Sequence, residues 1–230
     1  MSDRQAPLRK TRDTAAGAEQ TRAALIRAGL EHFGRYGFEG ATTRDIAAEA
    51  EANIGSIAYH FGGKEGLHAA CAQYIVDTVR EVAGPVLSEL PDGGRMPPDV
   101  AEAMLATMLQ RMVGFILARP DAGEFVGFIL RELNRPTAAL DAIYSGVFEP
   151  VHKRLCEVWA MATGTEAESD ATKIRVFTMI GQIVYFRIGH EAVRRRMGWT
   201  SVGPDEVALV VDAARENLSA AIAAKRGEQR

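Results

Sequence analysis

The 230-residue sequence holds two cysteines, Cys71 and Cys156, far apart and with no C-x-x-C or metal-type spacing around either. That excludes a disulfide framework and a cysteine metal site, and both thiols are expected to be buried as small apolar groups. Histidine is nearly as sparse: His32, His152 and His190 stand alone, and a helix break separates His60 from His68. No metal cluster is expected, and each isolated histidine reads as a polar rim or a satisfied core group. The chain lacks a G-x-S-x-G, a Walker loop, a dinucleotide fingerprint and an H-E-x-x-H. An all-α enzyme therefore finds no support, and no cofactor is expected. Period-2 alternation is missing as well, which leaves an all-α fold. No stretch reads as apolar and long enough to cross a membrane, and the first twenty residues hold no hydrophobic run of the secretion-signal kind. The expectation is a cytoplasmic protein with no membrane partner. Basic charge is not in excess: Lys and Arg number 27 against 30 Asp and Glu, for a net charge of −3. A global basic signature for nucleic acid is absent.

What the chain does have is helix punctuation. Hydrophobic residues make up 47% of it, ample for a core in one large or two modest domains. Ile26, Leu30 and Phe33 recur at helical spacing from about residue 19 to 36, and Gly37 supplies a stop. Thr42 to Lys64 then reads as two short helices with a tight joint and the start of a third. Thr42 and Asp45 have capping-box spacing, and Ile46, Ala47 and Ala50 give the first helix a small apolar face. Asn53 is a good N-cap for the second, in which Ile57 and Phe61 lie one turn apart and can seat it on the first. Gly55, Ser56, Ala58, Tyr59 and His60 are left as small or hydrogen-bonding residues on one short helix, which suits close approach to a partner. Gly62-Gly63 ends it, and Lys64-Glu65 opens the next helix.

At these residues the chain resembles the helix-turn-helix of the TetR family of transcriptional regulators. The matching positions are Thr42-Thr43, Ile46-Ala47, Gly55-Ser56, Ile57, Tyr59-His60, Phe61, Lys64-Glu65 and Leu67. A helical hairpin that touches no nucleic acid is the competing reading, and so many positions at fixed spacing decide against it. Two departures stand out. Glu51 occupies the usual turn-glycine position, so the joint is expected to form without a free left-handed residue, and Ala58 stands where an aromatic residue is common.

Beyond Lys64, apolar positions carry one helix to about Gly84-Pro85, and Leu90 to Gly94 with Pro97-Pro98 forms a turn-rich break. Helices are expected at about 98 to 118, 121 to 134, 137 to 162, 169 to 196 and 205 to 225, with Pro150 kinking or splitting the third. Ile174, Phe177, Gly181, Val184 and Ile188 share one face, and Val207, Val211, Ala214, Leu218 and Ile222 another. A second resemblance, to the CecR-like subgroup of the family, rests on Pro150 to Leu155, Ala162 to Gly164, Ile180 to Gln182, Phe186 to Ile188 and Arg194 to Trp199. Asn53 to Ile57 and Cys71 to Gln73 point the same way.

Residues 1–18 lack apolar periodicity and are made basic by Arg4, Arg9, Lys10 and Arg12, so they are expected to form an arm that is disordered in the free protein. For the rest of the chain, the resemblance implies a three-helix helix-turn-helix DNA-binding domain at 19–79 with its motif at about 42–61, a helical regulatory and dimerisation domain at 80–225, and a tail at 226–230. Thr43, Arg44, Tyr59, His60 and Lys64 would hold phosphates, and Ile54, Gly55, Ser56 and Ala58 would meet base edges. The last two helices would pair a homodimer through Ile174, Phe177, Gly181, Val184, Val207, Val211 and Leu218. The implied function is a ligand-released repressor of transport or drug-sensitivity genes on a palindromic operator. An all-α enzyme or a protein-interaction module is the alternative. Met104, Met108, Met112, Phe115, Phe125, Phe128, Phe148 and His152 either enclose an apolar or aromatic effector or simply fill the core. Arg111, Arg131, His152 and Arg187 are the polar candidates. The linking helix from 64 to 82 would carry the effector's bias to the reading helices.

Overall fold

The computed structural model describes the backbone of residues 6–88 and 96–228 and the side chains of 16–84 and 96–228. The turn-rich break at 90–94 and the first five residues of the arm lie outside the described residues. All regular structure among the described residues is helical. Contacts divide the chain into two compact units, Met1–Ile75 with Gly127–Ile143, and Val76–Val126 with Tyr144–Arg230. The sequence reading expects one boundary near residue 79, because it takes domains as continuous stretches. The excursion at 127–143 departs from that.

The first unit opens with α1 (Ala6–Gly40), whose register breaks at Gly37 (φ 73°), where glycine is the residue that tolerates a left-handed backbone. Residues 6–18 are helical rather than irregular. Their lack of apolar periodicity argued against burial, but Ala, Leu, Arg and Lys are good helix formers. Short α2 (Thr43–Glu49) and α3 (Gly55–Phe61) follow, then α4 (Lys64–Ser88), which continues past Gly84-Pro85. The second half of α6 (Ala122–Asn134) and α7 (Ala138–Ile143) complete the unit. Leu25, Leu30, Phe33, Ile46, Ile57, Leu67 and Ile75 are fully buried in it.

The second unit packs α5 (Pro98–Val113), α8 (Glu149–Thr163), α9 (Asp170–Ile188) and α11 (Pro204–Gly227) around one core, with α10 (His190–Met197) lying exposed. The stretch 98–118 is apolar and long enough to cross a membrane by length and composition, contrary to the sequence reading. Its Ala101, Leu105, Leu109 and Val113 are instead buried against α8 and α11. Around Pro150 the expected kink or break takes the form of a change of helix type, with helical backbone continuous from α7 into α8. A π-helical segment, Tyr144–Phe148, widens the turn just ahead of Pro150, where the proline ring would otherwise meet the carbonyl four residues back. That segment brings Gly146 so near α4 that a Cβ on it would lie 2.7 Å from Val76 Cγ1. The expected helix at 169 to 196 is interrupted at Gly189, which separates α9 from α10.

Arg226 ties the ends of three helices together. Its guanidinium donates to Glu102 Oε2 (2.9 Å), to the Ala162 carbonyl (2.7 Å) and to the Pro98 carbonyl (2.8 Å). Cys71 and Cys156 are buried free thiols, and burial pushes both pKa values up, so neither carries thiolate character.

Candidate nucleic-acid interface

The two-helix stretch begins at a cap on α2. Thr42 Oγ1 accepts the Asp45 amide (3.1 Å) and donates to the Asp45 carboxylate (2.7 Å), so the box closes through the hydroxyl. Glu51 takes the left-handed conformation itself, at φ 50°, the only non-glycine residue to do so among the described residues. The expectation of a joint without a left-handed residue is corrected: the geometry of the turn demands one, and a side chain is forced into it. Because an L-residue there costs roughly 1–2 kcal/mol and glycine loses part of that to chain entropy, Glu51→Gly is expected to stabilise the protein by about 0.5–1 kcal/mol. A lower urea midpoint in that variant would contradict the reading. The N-cap position of α3 is Ile54 and not the expected Asn53, which closes the turn one residue earlier by accepting the Gly55 amide on its Oδ1 at 2.8 Å.

The helix α3 buries Ile57 alone and seats half-buried Phe61 under Arg22 of α1, whose guanidinium lies 5.5 Å from the ring centroid. The opposite face is bare. Tyr59 is 82% exposed and Ile54 51% exposed, and Gly55 and Ala58 are exposed beside them. Ser56 and His60 are half-buried, with the His60 ring edge-on to Tyr59. Arg44 is exposed at the start of α2, next to half-buried Thr43. Lys64 is more committed: its ammonium sits 4.6 Å from the Phe38 ring centroid and 3.5 Å from the Glu39 carbonyl. A helix with one buried residue, an apolar and hydroxyl-bearing outer face and a cation at its rim is built to enter a groove.

The family patterns agree with that geometry. Residues 25–71 match the pattern described as "Bacterial regulatory proteins, tetR family", and residues 101–225 match "HTH-type transcriptional dual regulator CecR, C-terminal domain". The HTH-type transcriptional dual regulator CecR of Shigella flexneri is 36% identical over 194 residues, covering 84% of this chain and 86% of that protein. The chain is a TetR-family transcriptional regulator. This regulator is also 42% identical over 64 residues to the regulatory protein RaaS of Mycobacterium tuberculosis, a span of 27% of this chain and 30% of that one. Two solved structures show the same fold. A TetR-like regulator from Rhodococcus sp. RHA1 superposes with a TM-score of 0.63 at 17% identity, covering 88% of this chain and 96% of that one. AibR, solved with isovaleryl coenzyme A and operator DNA, gives 0.63 at 14% identity over 85% and 96%. As a member of this family the regulator binds DNA and is not an enzyme.

The other residues singled out in the sequence separate. Of the dimer set, Ile174 and Phe177 are each 62% exposed on α9 with exposed Gly181, while Val184 is half-buried against the core. Val211 and Leu218 are buried inside the protomer, and Val207 packs against the same core. This corrects the α11 half of the expected seam. A helical stripe announces burial without saying which chain provides it, and here α5 and α8 do. The outward face of α11 instead carries Leu209, 59% exposed, with exposed Ala213, Ala220 and Ala224. Asn217 of that face donates to Gln182 of α9 at 2.9 Å.

The effector candidates do not converge either. Phe128 and Arg131 belong to the first unit: Phe128 is 1% exposed against Phe33 and His68, and Arg131 is bonded to α1 carbonyls. Arg111 is exposed. His152 stacks on Phe177 at 3.9 Å, with Nε2 3.2 Å from the Lys173 carbonyl, which makes it a brace under α9. In the second unit, Phe115 rests by Phe125, and the Arg119 guanidinium covers both rings. The same guanidinium holds the Asp121 carboxyl below the usual carboxylate range. Half-buried Phe148 is in this unit too, and the end of the Arg187 guanidinium lies over Gly123, where a Cβ would make it shift. Sequence reasoning missed Arg119 and Glu132, polar residues whose partners only folding supplies.

Proposed function

We propose that the regulator is a ligand-released repressor that acts in the cytoplasm and binds a palindromic operator as a homodimer through α9 and α11. The observation that carries this is the coexistence of two uncovered faces in one chain, the outer side of α3 and the apolar stripe Ile174, Phe177, Gly181, Tyr185 and Ile188. A single short recognition helix meets too few base pairs to find a site in a genome, so a two-fold pair of them with half-sites roughly one helical turn or somewhat more apart is required. Tyr59, His60, Thr43, Arg44 and Lys64 hold phosphates, and Ile54, Gly55, Ser56 and Ala58 meet base edges.

The effector acts through the second unit. Half-buried Met104, Met108 and Met112 along α5 and half-buried Phe115 just past its end offer soft apolar surface to it, with Phe148 at the end of the π-helical segment as a further apolar candidate and Arg187 as the polar one. The structure of AibR, which holds both an acyl thioester and operator DNA, supports an apolar compound with a charged or hydrogen-bonding group. Transport and drug-sensitivity genes are the proposed targets.

The test is selection of duplexes from genomic DNA by the purified protein. A shared palindrome is expected, and a hydrophobic or aromatic compound that releases it should also raise the melting temperature. Arg44→Ala and Lys64→Ala are each expected to lower the slope of log K against log salt by about one while weakening all sequences alike. Wild-type slopes in both variants would strike them from the contact set.

A further inference from the structure

We propose that the segment 127–143 is a working part of the DNA-reading unit, and that Glu132 and Arg131 are its positioning residues. The segment falls within the residues 101–225 that match the C-terminal family pattern, yet its contacts place it with α1 to α3 and the start of α4. Glu132 is 3% exposed. Its Oε1 accepts from His68 Nε2 of α4 at 3.2 Å, and its Oε2 accepts from the Thr137 amide (3.1 Å) and hydroxyl (2.6 Å). The His68 ring is enclosed by Phe33 at 4.7 Å, Phe38 at 5.0 Å and Phe128 at 4.9 Å. Burial holds its pKa below the ordinary value, against the opposing pull of Glu132, and Lys64 one turn earlier lowers it further. A neutral imidazole donating from Nε2 satisfies the pair.

One residue earlier, the Arg131 guanidinium donates to the Gly34 carbonyl (3.2 Å) and the Arg35 carbonyl (2.5 Å), just before α1 breaks at Gly37. Gly127 stands one turn up the helix, where a Cβ would be 3.8 Å from Gly34 Cα. The end of α6 therefore grips both helices that frame the reading pair: α4, which leaves α3 through Gly62-Gly63, and α1, on which α2 and α3 pack. Apolar contact alone tolerates sliding. Directional hydrogen bonds to a buried carboxylate do not, because any slip leaves a buried donor without a partner. Through this grip, a segment that the family pattern assigns to the regulatory half sets the attitude of the helices that read DNA.

The experiment uses the full chain with Glu132→Leu, Glu132→Gln and Arg131→Met. Leucine keeps the volume and loses every acceptor. Glutamine can donate its amide to His68 Nε2 in the other tautomer and still accept from Thr137. Arg131→Met removes an exposed guanidinium and leaves the core intact, so it reports even where Glu132→Leu fails to fold. Hydrogen exchange of the free protein is expected to quicken about tenfold in α2 and α3 for Glu132→Leu and Arg131→Met, with α5, α8 and α11 unchanged. The preference for the duplex selected by wild type over random-sequence duplex should fall about tenfold as well, and Glu132→Gln should restore both readouts. Exchange that quickens uniformly, or only within 127–143, would overturn the proposal, as would an unaltered preference for the selected duplex. The DNA arm rests on the reading of α3 as the recognition helix. A wild type that selects no duplex would remove that reading, and the exchange arm would still decide whether Glu132 and Arg131 position α2 and α3.

Discussion

A chain carrying Ile174→Arg and Gly181→Arg is expected to stay folded, to sediment as a monomer and to lose operator binding. Both positions lie on the exposed stripe of α9, and a Cβ at Gly181 meets nothing within 4 Å in the protomer. Arginine is also the better helix former, by close to 1 kcal/mol, so the protomer should melt at or slightly above the wild-type temperature. In a two-fold pair the same positions face each other. Each dimer would then bury four guanidinium groups with no designed partner, and removing or mismatching one member of a buried ionic site costs about 3–5 kcal/mol. Over the four sites of a dimer, that loss offsets what Tyr185, Ile188 and Leu209 of both protomers can return, at about 1.5–3 kcal/mol for each fully buried side chain. The dissociation constant should rise at least about a thousandfold, and binding to the palindrome should fall with it because one half-site remains. Sedimentation at roughly micromolar concentration, with a parallel titration of operator duplex, checks both effects. A wild type that is monomeric under those conditions would refute the seam.

Leu218→Asp is expected to do something different, although Leu218 lies on the helix next to that stripe. It is 1% exposed, in one cluster with Leu105, Leu109, Val158, Trp159, Val210 and Ile222. Deleting a buried leucine side chain costs about 2–5 kcal/mol, and an unpaired carboxylate in its place adds a desolvation penalty of similar size. Typical domain stability is roughly 5–15 kcal/mol, so the second unit should lose its cooperative melt rather than dissociate. Leu218→Ala should melt lower by a smaller margin and remain dimeric. Near-ultraviolet circular dichroism and gel filtration separate the outcomes. A folded, monomeric Leu218→Asp chain would return this residue to the dimer seam.

The sequence by itself determined the helical class, the helix-turn-helix and most of the helix ends, because those depend on neighbours along the chain. Thr42 and Asp45 form a cap across three residues, Gly37 and Gly62 supply the left-handed backbone that stops a helix, and Pro150 opens a turn against the carbonyl behind it. Each of these interactions is closed within a few residues and can be read as spacing. The recognition helix was legible for the same reason: Ile57 faces in, and the residues left over face out.

The tertiary structure alone decided which partner each face and each polar group would have. The stripes on α9 and α11 carry the same apolar period. Only packing shows that Val211 and Leu218 are consumed by α5 and α8 while Ile174 and Phe177 stay bare. Glu51 shows the limit of local reading too. Its left-handed backbone follows from how α2 must turn into α3, and the tertiary fit holds a side chain where propensity would place glycine. Glu132 and Arg131 are ordinary polar letters, far along the chain from His68 and from the α1 carbonyls they meet. They become one site because folding brings α6 against α4 and α1, and a buried carboxylate accepts hydrogen bonds from whatever donors arrive there, at whatever separation in sequence.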